Sequence, residues 1–92
     1  MSPYRTVAVP AGPLSVVFFG NRVTEVRSSS PLAGQVALGD RLVSINTPGR
    51  ALFTCKNVSG LDIIHEVRAG AASDGRVLTF GRSVREYRAG RS

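Results

Sequence analysis

Ser30-Pro31-Leu32-Ala33-Gly34-Gln35-Val36-Ala37-Leu38-Gly39-Asp40-Arg41-Leu42-Val43-Ser44-Ile45-Asn46 is the stretch on which the fold of this 92-residue chain turns. Its first part reads as a helix start. Ser30 offers a capping hydroxyl, Pro31 brings a preset φ to the first helical position, and Gly34 holds the helix to about one turn. Leu38-Gly39-Asp40 is a turn, with glycine supplying the backbone freedom. Residues 41–46 then read as a strand that sends Leu42 and Ile45 into a core.

Working outward, every flanking segment is short and punctuated. Residues 4–9 suit an edge strand, and Pro10-Ala11-Gly12-Pro13 ends it because proline lacks the amide donor a ladder needs. Residues 14–19, Leu-Ser-Val-Val-Phe-Phe, are β-branched and aromatic and too few for a helix. Gly20-Asn21 turns them into a half-exposed strand at 22–27, which makes a hairpin. Residues 51–54 allow another short strand. A longer helix starts at Ser59, capped by Asn57 or Ser59, with Leu61, Ile64 and Val67/Arg68 at helical spacing and Gly70 as its stop. Residues 76–80 form the last strand, Leu78 and Phe80 on one face and Val77 and Thr79 on the other.

The order is β-β-β-α-β-(β)-α-β, and with the 30–46 motif it resembles a PDZ domain over residues 4–82. The resemblance implies a mainly β (α+β) fold, a partly open antiparallel barrel of five to six strands capped by two α-helices. It also implies capture of a partner's extended or C-terminal peptide as an added strand between the second strand and the second helix. The family's carboxylate-binding loop falls on Pro13, Leu14, Ser15 and Val16, with Ser15 where glycine is usual and no cation in residues 7–13. Arg5 and Arg50 are the candidate substitutes for that cation. The implied peptide groove is Leu14, Val16, Val17 and Phe18 on the strand facing Gly60, Ile64 and Val67 on the helix. Gly60 stands where the family has a histidine when it selects Ser or Thr, so the ligand's third-last residue is expected to be hydrophobic, the class II pattern.

Composition narrows the function. Hydrophobic residues are 42% and charged ones 20%, a globular balance, and no apolar run approaches the ~20 residues of a membrane span. One cysteine and one histidine exclude a disulfide framework and Cys- or His-rich metal sites. No nucleotide loop, metal constellation or triad is present, so no enzyme and no cofactor is expected. His65 beside Glu66 reads as two helix residues pointing apart, Cys55 as a semi-buried structural thiol rather than a lowered-pKa one, and Asn57-Val58-Ser59 as a chance sequon. Residues 1–5 lack a signal-peptide pattern, so the expectation is a cytoplasmic domain, peripheral to membrane or cytoskeleton only through a partner.

Charge is the outlying feature: twelve basic against six acidic residues, +6 in all. Arg82, Arg85, Arg88 and Arg91 with Glu86 put half of that excess in residues 82–92. Residues 83–92 read as a basic tail or linker, with anionic lipid headgroups as the alternative partner. Nucleic acid is disfavoured because Tyr87 alone offers stacking there. A regulatory module of a protease is the other alternative, opposed by a first strand that precedes the carboxylate loop. Val17 and Phe19 lie opposite the expected pocket face. The ordinary expectation is that Phe19 packs under the hairpin or tail, and the sharper one is ligand contact or self-association.

Overall fold

The computed structural model describes residues 4–82. Arg85, Arg88 and Arg91 of the expected anionic surface contact lie outside them. The fold is mainly β: β1 (Tyr4–Val9), β2 (Val16–Phe19), β3 (Arg22–Val26), β4 (Arg41–Asn46), β5 (Phe53–Thr54), α1 (Gly60–Ala69) and β6 (Arg76–Gly81). The antiparallel sheet runs β1-β6-β4-β3-β2, with β5 added to β4. Among the described residues it is open, with β1 and β2 at its two ends and β5 a further short edge. Among the described residues no helix is long and apolar enough to cross a membrane.

Alternation along the strands builds the core. Val7 and Val9 of β1 and Leu78 and Phe80 of β6 are buried while their neighbours face outward. Leu42 and Ile45 both reach the core although three residues apart, because the β4–β6 register shifts between Leu42 and Ser44. That bulge turns Val43 outward and restores the inward phase. Each such side chain contributes roughly 1.5–3 kcal/mol by leaving water.

Three expectations change. The short helix after Ser30 is a run of turns through residues 31–36, held by Gln35 N–H to Leu32 O and Val36 N–H to Leu32 O. Gly34, at φ 79°, leaves the helical region before a nucleus can propagate. The described architecture therefore has one helix, not two. In α1, Ile63 is fully buried and Leu61 is 72% exposed, so the inward face is not the 61–64 stripe. Phe19 is 81% exposed and is not packed under the hairpin.

Candidate functional site

The β2 edge is shaped by its approach. Ser15 adopts φ 55°, the left-handed region where glycine carries no Cβ penalty, and so β2 starts at Val16 rather than at Leu14. Among the described residues neither the Leu14 nor the Ser15 amide has an internal acceptor. The β2 ladder adds to this. Val23, opposite Phe18, donates to Asp40 O and accepts from Gly39 N on its far side, so the peptide groups of Phe18 face the open edge. The Arg27 amide reaches Ser15 O at 3.1 Å, which puts Val16 likewise at an outward-facing position. An unpaired strand edge is a template for one more strand.

α1 lies along that edge. Ser59 caps it by accepting from the Asp62 amide, and Gly70 closes it. Between α1 and β2 is a cavity of about 460 Å³, bounded by Gly12, Pro13, Leu14, Ser15, Val16, Val17 and Phe18 on one side and Ile64, Val67, Arg68 and Ala71 on the other. Leu14 is buried, Val16, Phe18 and Val67 are half-buried against the core, and Val17 and Ile64 are exposed. Gly60 lies outside this lining. Its missing side chain serves packing, since a Cβ there would stand 3.3 Å from the Gly20 Cα in the β2–β3 turn. Strand and helix thus converge at Gly20 and Gly60 and limit the groove's length.

Ser30, read from the sequence only as a helix cap, and Arg76, given no role there, hold the loop at the groove's end. The Ser30 hydroxyl donates to Leu14 O and accepts from the Leu32 amide, tying the 31–36 turns to the loop. Arg76 is buried and its Nη2 donates to Pro10 O at 2.9 Å and Gly12 O at 2.7 Å. Burial pushes the Arg76 guanidinium below its ordinary pKa. The Gly12 amide donates to Ala71 O, joining the same loop to the end of α1.

The cation near the loop is also a different residue from those proposed. Arg5 donates to Gln35 O, and Arg50 forms a two-bond ion pair with Glu66 at 2.9 and 3.0 Å. That hydrogen bond raises Arg50 and lowers Glu66 from their ordinary pKa values. Arg68 instead lines the cavity, four residues after Ile64 on the same helix face. Its only signal in the sequence was that spacing. Cys55 is buried, and desolvation pushes its thiol up to about 11, the reverse of an activated thiolate. His65 is exposed on α1, and among the described residues no cluster of His, Cys, Asp and Glu could hold a metal. No family model, no curated protein and no solved structure matches the chain.

Proposed function

We propose that this chain is a PDZ-like, non-enzymatic interaction module that captures a short hydrophobic C-terminal peptide for scaffolding or localisation. The carrying observation is a β2 edge that, among the described residues, is unpaired and faces α1 across an apolar cavity, with the Leu14 and Ser15 amides open at one end. A peptide adds to β2 as an antiparallel strand through the outward peptide groups of Val16 and Phe18. Its terminal carboxylate accepts from the Leu14–Val16 amides, and Arg68 supplies the countercharge. Its last side chain enters between Leu14, Val16, Phe18 and Val67. Its third-last side chain meets Ile64 and is hydrophobic, because Gly60 offers no acceptor. Affinity is about micromolar, near −8 kcal/mol, since few residues are immobilised.

The test is an amide chemical-shift titration with a peptide ending in Val-x-Val beside its C-terminally amidated twin. The reading expects shifts at 14–18 and 64–68 with the free acid and about tenfold weaker binding of the amide, the worth of a charge-assisted hydrogen bond. Arg68→Ala should reduce that acid-over-amide preference. Absence of shifts in the groove with either peptide defeats the proposal.

A further inference from the structure

Among the described residues, strand register gathers cations without an ion pair on a part of the sheet outside the groove. Tyr4, Gly81, Arg41 and Arg22 are successive cross-strand partners on β1, β6, β4 and β3. Paired residues of antiparallel strands share a face. Beside Gly81 lies a cavity of about 260 Å³ whose walls include Tyr4, Arg41 and Lys56. Lys56 is set there by the preceding Cys55, whose amide donates to Val43 O of β4 at 2.9 Å.

Among the described residues no carboxylate is ion-paired to these charges. Among the described residues Arg22, Arg41 and Lys56 form no ion pair, Glu25 and Glu66 being taken by Arg27 and Arg50. Asp40 lines a separate cavity and accepts from the Ala37 amide. Arg22 directly opposite Arg41 is a like-charge pair of the kind that destabilises a sheet. A bound anion removes that repulsion. We infer that the Tyr4–Arg41–Lys56 cavity is a binding site for a phosphate group. The guanidinium fork of Arg41 suits paired phosphate oxygens, and Lys56 adds a point charge. Among the described residues Tyr4 is the one aromatic residue at the cavity, not the row of rings on which successive bases of a nucleic acid stack.

The full chain is titrated with inositol trisphosphate by amide chemical shift, and with vesicles of phosphatidylcholine with and without phosphatidylinositol bisphosphate by co-sedimentation. Shifts are expected at Arg41, Val43, Lys56 and Gly81. Response to the soluble compound assigns a free phosphoester, response to the vesicles alone assigns a lipid headgroup, and either supports the site. Arg41→Thr with Lys56→Gln should weaken binding about tenfold or more, Arg22→Thr about threefold, and Arg27→Ala less than about twofold, as expected for losing charge-assisted contacts at one place only. Because Arg41→Thr removes a repulsion, its urea midpoint should not fall, which separates lost binding from lost folding. Equal losses in Arg27→Ala, unchanged binding in the double variant, no response to either probe, or preferred binding of a single-stranded oligonucleotide by the same residues overturns the inference.

Discussion

Replacing Ser30 by alanine removes one oxygen atom that serves two buried backbone groups. The hydroxyl donates to Leu14 O and accepts from the Leu32 amide at 3.0 Å. Leu14 is 3% exposed and Leu32 fully buried, so neither group has easy access to replacement water. An orphaned buried donor or acceptor costs about 1–3 kcal/mol, and alanine leaves almost no cavity to add to this. The expected loss is about 2–4 kcal/mol, a large share of the roughly 5–15 kcal/mol that holds a domain together. Urea unfolding followed by far-UV circular dichroism measures it, the chain having no tryptophan. With a slope of about 1 kcal/mol/M the midpoint falls by about 2 M or more. Native-state hydrogen exchange at Leu32 should accelerate in step. A midpoint change under about 0.5 M refutes the reasoning, since it means that water or a local shift satisfies both groups and the hydroxyl bridge does not hold the loop.

Three further outcomes follow from single contacts. Gly70→Ala would place a Cβ 3.0 Å from Thr47 Cγ2 and Oγ1 and 3.3 Å from Arg76 Cδ, so a loss of about 1–3 kcal/mol is expected in the same denaturation assay. Ser15→Gly should be neutral or stabilising by up to about 1 kcal/mol, and Ser15→Val destabilising by about 1–2 kcal/mol, because Ser15 sits at φ 55°. Reversed order in thermal melts would contradict the left-handed assignment. Cys55, pushed up from 9.0 to about 11 by burial, should react slowly with a thiol reagent at pH 8. Its contribution to stability is fully present below pH 9, where the unfolded thiol is also protonated. It is lost as pH rises from 9 towards 11, since the unfolded state ionises first. Cys55→Ala should flatten the fall in stability across that window.

Much of the secondary structure was legible because it is written in neighbouring residues. Alternation marks β1 and β6, Gly20-Asn21 marks the β2–β3 turn, and Ser59 with Gly70 bounds α1. The inward face of α1 was not legible, since Leu61 and Ile63 are equally plausible core residues by spacing. Ile63 goes inward where α1 packs close, Gly60 against Gly20 and Gly70 against Thr47, at separations that an added Cβ would crowd. The turn run after Ser30 has every local sign of a helix, and Gly34 at φ 79° ends it before it forms.

The groove divides in the same way. Leu14, Val16 and Phe18 on the strand and Ile64 and Val67 on the helix were implied by the PDZ resemblance, with periodicities of two and of three to four putting each set on one face, and these residues line one cavity. What periodicity cannot carry is a contact between distant segments. Arg76 reads as an ordinary first residue of a strand, yet it reaches Pro10 across 66 positions to fix the loop. Arg50 is held by Glu66, 16 positions on, and so Arg68 is the cation at the cavity. Local propensity and alternation are properties of a few consecutive residues, so the sequence by itself determined the strands, the turns and the existence of α1. Which charges meet which partners depends on how those elements close on one another, and only the tertiary structure decided that.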